Sequence, residues 1–539
     1  MIRSLSFTLI GLAAICHSLA PPPVVTTICT QLSAAIHDAD HDEDCFDCYR
    51  LDDGGRPIGL AKNLQLQTPH AGRKFRPSSQ AQRGGRANWR RRWMSRGNRR
   101  FTEGWYYRLT LPEYGESFVF IFSIEDAGRY VKGRPSPLSL ACMQLLGPGD
   151  TYLVQSDEDD TKFWGWDDAL AFGCTFEWSD EDAGDAESTR GIEANVAAAM
   201  NPKEWREKVK TGFQVLPFGF QGRLDGHDGT LGGVKAGQGV SGTAYFDFAV
   251  KPLAGWGNYP PLTRYQNASD HASVLEHGGI HRQRSTAGWL ASYPVFEPHW
   301  QVNMANARAT GSLNWNGTVY RFEDAPFYGE KNWGGAFPTK WYWSQCNSFD
   351  DHPDLSFTAG GGIRQLPFSF LPGKRTEVLG LVGIHYNGRF YELVPWTGDS
   401  EWAVWPWGRW EFRGKCTDRR ADNQFEVEIV AVTEEGVDGV PLRAPTKDRG
   451  MQYYCQDSGF GHVTLSLWGL EWDDTAQKYC RSHDKPIIDK ATSQQCAVEV
   501  GGEYDGVWRV KSNMSATMKR LIRLPMVIGK IFNNDRAGN

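Results

Sequence analysis

Long apolar runs are almost missing from this 539-residue sequence. The single one lies at the extreme N-terminus, which excludes a polytopic membrane protein. The signatures of common catalytic machinery are missing too: there is no P-loop, no GxGxxG after a strand, no HExxH and no GxSxG. His, Asp and Glu do not cluster at metal-ligand spacing. An enzyme built on this chain is therefore expected to use no metal and no other cofactor. Cys45-Phe-Asp-Cys48 has no second CxxC, which argues against structural zinc. The eleven cysteines are odd in number and irregular in spacing, so they read as free or locally paired thiols. Cys455, Cys480 and Cys496 would allow one disulfide. No 20–50-residue repeat is present, which excludes a propeller.

What is abundant is aromatic. There are 28 Phe, 19 Tyr and 22 Trp, and ten of the Trp fall between Trp300 and Trp410. With 59 Gly and little helical periodicity, this points to an all-β chain. The net charge of −6 hides an asymmetry. Residues 73–100 carry eleven Lys/Arg and no acid, leaving −17 on the rest. The block reads as a solvated arm or insertion, and no nucleic-acid partner is expected from it.

Along the chain, residues 1–20 read as a signal peptide: Arg3, an apolar Leu5–Ile15 stretch, then small residues near Ser18 or Ala20. Residues 21–65 read as a transit segment that passes into an acidic linker. A first β domain is expected over 66–295, including the basic block and an acidic stretch at 157–187, and a second over 296–539. Asn316-Gly317 and Asn387-Gly388 each predict a tight hairpin. The 192–210 segment predicts a helix broken at Pro202, with Asn201 as the cap of its second part. Residues 513–532 predict a short amphipathic helix and a tail. TAGGGIRQ reads as strand and not as a phosphate loop.

The candidate chemistry is carboxyls set among aromatics. One cluster is Phe322-Glu323-Asp324-Ala-Pro-Phe327-Tyr328-Gly-Glu330-Lys331-Asn332-Trp333. A second is Phe101-Thr-Glu103-Gly104-Trp105-Tyr106-Tyr107, and a third is Ile384-His385-Tyr386. A carboxyl in an apolar aromatic wall has a raised pKa and keeps its proton near neutrality. Such a group can protonate an alkene, and aromatic faces can stabilise the resulting cation.

At these motifs the sequence resembles the tocopherol cyclases of plants, algae and cyanobacteria. The carrying segments are RRFTEGWYYRLTLPEYGESFVFIFSIED (99–126), PVFEPHWQVNMANARATG (294–311) and YRFEDAPFYGEKNWGGAFPTKWYWSQCNSF (320–349). TAGGGIRQLP (358–367), HYNGRFYELVPW (385–396), PWGRWEF (406–412) and PLRAPT (441–446) extend the match. The block at 73–100 and the stretch near 157–187 look like insertions relative to the family. The resemblance implies two packed lipocalin-like antiparallel β-barrels with a few short helices, in agreement with the all-β reading. It implies an isomerase that closes the chromanol ring of a prenylated (phytyl) benzoquinol in vitamin E biosynthesis. The place it implies is the plastid, on lipid globules or thylakoids. Chemistry within the shared motifs makes Asp324 and Glu330 the first candidates for the acid, with Glu103 next. His385 or Tyr328 would orient or deprotonate the quinol hydroxyl. Trp105, Tyr106, Trp333, Trp341 and Trp343 would wall the substrate pocket. The alternatives are a non-catalytic prenyl-lipid carrier and a carotenoid hydratase-like enzyme in which water captures the cation.

Overall fold

The computed structural model describes residues 100–523 except 128, 132–133, 166–169, 180–198, 217–218, 226–241, 258–285, 287–297, 336, 366–375, 420, 422, 483–484, 505 and 513. The expected signal segment, the 21–65 stretch and the basic block up to residue 99 lie outside the described residues. So do most of the 192–200 helical segment and the tail beyond 523.

Antiparallel strands dominate. The first part of the chain forms β1 (Thr102–Leu111), β2 (Glu116–Glu125), β3 (Tyr130–Val131), β4 (Arg134–Pro135), β5 (Leu140–Leu146), β6 (Tyr152–Asp157) and β7 (Phe163–Gly165). It continues with β8 (Phe172–Trp178), α1 (Pro202–Lys208), β9 (Val209–Leu216), β10 (Gly219–Asp225), β11 (Thr243–Ala254), β12 (His299–Trp315) and β13 (Thr318–Gly334). Apart from the small β3–β4 ribbon, these strands make one eleven-stranded sheet in the order β6-β5-β2-β1-β13-β12-β11-β10-β9-β8-β7. Its outer strands, β6 and β7, are consecutive in the chain, and Gln155 Nε2 donates to Thr211 Oγ1 across the gap at 3.0 Å. The sheet therefore curls on itself around an aromatic core that includes Trp105, Phe122, Phe172 and Phe248.

The second sheet takes β14 (Lys340–Cys346), β15 (Ser356–Gln365), β16 (Thr376–Tyr386), β17 (Arg389–Leu393), β18 (Gly398–Trp405) and β19 (Arg409–Cys416). It is completed by β20 (Phe425–Val432), β21 (Val440–Thr446), β22 (Gly450–Asp473), β23 (Lys478–Arg481), β24 (Ile488–Gly502) and β25 (Trp508–Lys511). Its main order is β17-β16-β15-β14-β24-β22-β20-β19-β18-β25, and it closes over a second core containing Tyr342, Trp402, Phe412 and Val498. The fold is thus all-β, a pair of packed lipocalin-like barrels whose described residues include two short α-helices, α1 and α2 (Ala516–Arg523).

The change of sheet falls between Gly334 and Lys340, not at 296. The 17-residue strands β12 and β13 pair with β11 and β1, so the whole hairpin belongs to the first barrel. Both Asn-Gly turns form as the residue types require. Asn316 and Gly317 have φ of 50° and 90°, and Asn387 and Gly388 have 46° and 72°. Asn201 caps α1, accepting from the Glu204 N–H at 2.8 Å, with Pro202 at the first helical position. Cys455, Cys480 and Cys496 are free thiols, so the disulfide that they would allow is not formed.

A third apolar layer lies between the barrels. β1 is buried on both faces, which is why TEGWYYRLTL reads as a nearly continuous buried run. Arg108 locks the layer. Its guanidinium donates to Gln345 Oε1 at 3.2 Å, Gly459 O at 3.1 Å and Gln495 O at 2.8 Å, all on the other barrel. Gln144 adds a reciprocal pair with the Arg443 backbone, at 3.1 and 2.9 Å.

Candidate active site

Alternation along β1 and β13 decides which side chains enter the inter-barrel layer. Tyr106 lies opposite Glu330 in the β1–β13 register, and both turn away from the first barrel's core. From the second barrel, Trp343 lies opposite Glu499, and Glu499 opposite Asp457. The two faces enclose a cavity of about 240 Å³. Tyr106, Trp300, Trp341, Tyr342 and Trp343 form much of its wall. Glu330, Asn332 and Glu499 supply its polar groups. Leu379, Trp396, Met514 and Ile522 of α2 close an apolar end. Gly360, Gly361 and Gly362 of β15 also line it. A Cβ at Gly360 would stand 3.2 Å from the Trp300 ring, so glycine there leaves room for the indole.

Glu330 is the best-defined acid. Tyr328 Oη donates to its Oε2 at 2.6 Å, Trp343 Nε1 donates to the same oxygen at 3.0 Å, and Asn332 Nδ2 donates to Oε1 at 3.3 Å. Burial outweighs these donors and pushes its pKa up to about 7. Burial and the adjacent Glu330 hold the Tyr328 phenol well above its ordinary value, so it remains a donor. Tyr106 packs edge-on against Trp343, with centroids 4.9 Å apart.

Glu499 is the second cavity carboxyl. The Trp341 indole N–H donates to it, and burial with the nearby Glu330 charge raises its pKa to about 7. Asp457 sits beside it, fully buried, and burial together with Glu499 pushes its pKa well up. Neither Glu499 nor Asp457 stood out in the sequence. The signal was a lone acid in the apolar Ala497-Val498-Glu499-Val500 stretch of β24.

The other expected site residues lie elsewhere. Asp324 is exposed on a bulge of β13, where two residues face Thr310. Its φ is 51°, and its N–H donates to Thr310 Oγ1 at 3.1 Å. Glu103 points into the first barrel and pairs with Lys331 Nζ at 3.2 Å, both side chains fully buried. Trp105 borders the cavity, but its indole stacks on Phe172 at 3.9 Å within that barrel's core. Trp333 stacks on His299 at 5.0 Å and does not line the cavity. His385 packs against Phe390 away from the cavity, and burial lowers its pKa to about 3. Tyr106, Trp341 and Trp343 do line the cavity, and Tyr328 reaches it through Glu330. Among the described residues, no three His, Cys, Asp or Glu side chains are placed to hold a metal ion.

Residues 99–502 match the tocopherol cyclase-like family. The chain belongs to that family. The Zea mays protein named tocopherol cyclase, chloroplastic, is 34% identical over 485 residues, which is 87% of this chain and 85% of that one. A protein of Oryza sativa subsp. japonica named probable tocopherol cyclase, chloroplastic, is 36% identical over 422 residues, 76% of each chain. The solved structure of kievitone hydratase from Nectria haematococca aligns with a TM-score of 0.30 and 11% identity, covering 76% of this chain and 90% of that one.

In this member of the tocopherol cyclase-like family, Gly501 is what lets Trp341 reach Glu499. The two lie opposite each other in the β14–β24 register, and a Cβ at Gly501 would fall 1.9 Å from the indole. Gly501→Ala is therefore expected to lower stability by about 1–3 kcal/mol, the usual cost of overpacking, read as a lower thermal midpoint.

Proposed function

We propose that this chain is a chromanol-forming cyclase acting on a prenylated benzoquinol, with Glu330 as the general acid. The observation that carries the reading is the Glu330 carboxyl. It lines an aromatic cavity, its pKa is raised to about 7, and three donors are already in place for its conjugate base. Glu330 transfers its proton to the side-chain double bond nearest the ring, giving a tertiary cation. The quinol oxygen attacks that carbon and closes a six-membered ring. The hydroxyl proton leaves, so the net change is an isomerisation. Tyr328, Asn332 and Trp343 stabilise the carboxylate as it forms, without reorganising. The faces of Tyr106, Trp300 and Trp343 stabilise the cation. The apolar end at Leu379, Trp396 and Ile522 suits the prenyl tail.

A plastid location fits the chloroplastic names of both relatives, and a prenyl-lipid substrate fits work at a lipid surface. The test is incubation of the pure protein with reduced methyl-phytyl-benzoquinol. A chromanol of unchanged mass supports the cyclase. Bound but unaltered quinol supports a carrier, and a product heavier by one water supports a hydratase. Removal of residues 73–98 is expected to leave the turnover rate within about twofold, because the block reads as an insertion relative to the family and the acid and its donors lie outside it.

A further inference from the structure

Glu499 is a cavity carboxyl that the mechanism above does not use. It shares the cavity with Glu330, and the two are held in matching fashion from one strand. Trp343 Nε1 donates to Glu330, and Trp341 Nε1 donates to Glu499. Glu330 enters the cavity from β13 of the first barrel and Glu499 from β24 of the second, so the two carboxyls face the same space from different barrels, close enough that the Glu330 charge raises the Glu499 pKa. Unlike Glu330, Glu499 is only half-buried and has a single indole donor.

We propose that Glu499 is the base of the cyclisation, taking the proton from the quinol hydroxyl as the new C–O bond forms. This rests on the cyclase reading of the same cavity. The atoms balance within the pair. Glu330 loses one proton to the alkene carbon, and the oxygen lone pair makes the C–O bond. The O–H bond then breaks, and its proton passes to the Glu499 carboxylate. After product leaves, one proton returns from Glu499 to Glu330, and the site is reset. The two charges are coupled in the useful direction. A neutral Glu330 lets Glu499 ionise, and loss of the Glu330 proton makes Glu499 the stronger base.

The titratable groups that interact with Glu499 are Glu330 from β13, Tyr106 from β1, and Asp457 and Cys455 from β22, while the Arg108 charge acts on Tyr106 and Asp457. Burial raises the pKa values of Tyr106 and Cys455 above already high ordinary values, so both stay protonated, and burial together with the Glu499 charge pushes that of Asp457 well up.

The test compares pH profiles of kcat/KM. The wild-type protein is expected to give a bell near neutrality, its two apparent pKa values belonging to the pair. Glu499→Gln is expected to lose about 10²–10⁴-fold in kcat and to lose the acidic limb, keeping only the fall at high pH. Quenching of tryptophan fluorescence by the bound quinol checks that this variant is folded and binds. Formate is expected to restore part of the turnover of Glu499→Ala, which a merely structural role would not allow. If the wild type turns over and Glu499→Gln stays within about threefold with both limbs intact, Glu499 is not the base. Loss of the alkaline limb instead would make it the acid. Absence of chromanol from the wild type would overturn the cyclase reading itself.

Discussion

Replacing Glu330 with glutamine is expected to lower chromanol formation by about 10²–10⁴-fold, the usual contribution of a positioned general acid. Glutamine keeps the size of the side chain and, through its amide oxygen, can accept from Tyr328 and Trp343, but its NH2 cannot accept from Asn332 Nδ2 and has no acidic proton to give. Asp324→Asn is expected to stay near the wild-type rate, because Asp324 is exposed and outside the cavity. In the wild type, the alkaline limb assigned to Glu330 makes turnover fall as pH rises through about 7, where the group gives up its proton. The same shift predicts a stability effect with a definite sign. The folded-state pKa is above the unfolded value of about 4.3, so the burial costs nothing at low pH. The cost grows as pH rises from the unfolded to the folded value and is constant above it. Glu330→Gln is therefore expected to raise stability at pH 8 by about 3–4 kcal/mol and to leave it nearly unchanged at pH 4, as read from urea midpoints. A variant that is inactive yet more stable at pH 8 could not be explained by misfolding.

The second large effect concerns Glu103 and Lys331. Their ion pair is fully buried inside the first barrel, and Lys331 Nζ also stands 4.8 Å from the Trp333 ring centroid. Removing only the cation leaves a desolvated carboxylate. Lys331→Met is expected to cost about 3–5 kcal/mol, whereas the double variant Glu103→Gln/Lys331→Met is expected to recover most of that loss. Denaturation midpoints of the two single variants and the double variant form the cycle. If the losses simply add, the two side chains are not coupled. A recovering double variant that still forms chromanol would place this pair in the scaffold and not in the chemistry.

Much of the architecture was legible because it rests on local rules. Asn-Gly pairs demand positive φ at both positions, and both hairpins form there. Asn201-Pro202 caps a helix because one residue offers an oxygen and the other lacks an N–H to lose. The aromatic excess was legible as β structure, and its division among three layers was not. Trp105 and Trp343 look alike in sequence, yet one stacks on Phe172 within a barrel and the other donates to Glu330 between barrels.

The site was harder to read for a physical reason. Asp324 and Glu330 share a strand and a parity, so alternation alone cannot separate them. Six residues of strand span about 20 Å, and the bulge at Thr310 turns Asp324 outward. Glu499 and Asp457 acquire their surroundings only when β24 pairs with the distant β14, Glu499 opposite Trp343, and with β22, Glu499 opposite Asp457. No local pattern around either residue encodes that pairing. The assignment of β12 and β13 to the first barrel is hidden in the same way, since it depends on β13 pairing with β1.

The central claim is that a buried, neutral carboxyl protonates an alkene in the inter-barrel cavity. Running the reaction in deuterium oxide tests it most directly. The expected product is a chromanol with one non-exchangeable deuterium on the ring carbon that was the protonated alkene carbon, formed by the wild type and nearly lost in Glu330→Gln. A chromanol without that deuterium, or one formed equally well by Glu330→Gln, would contradict it.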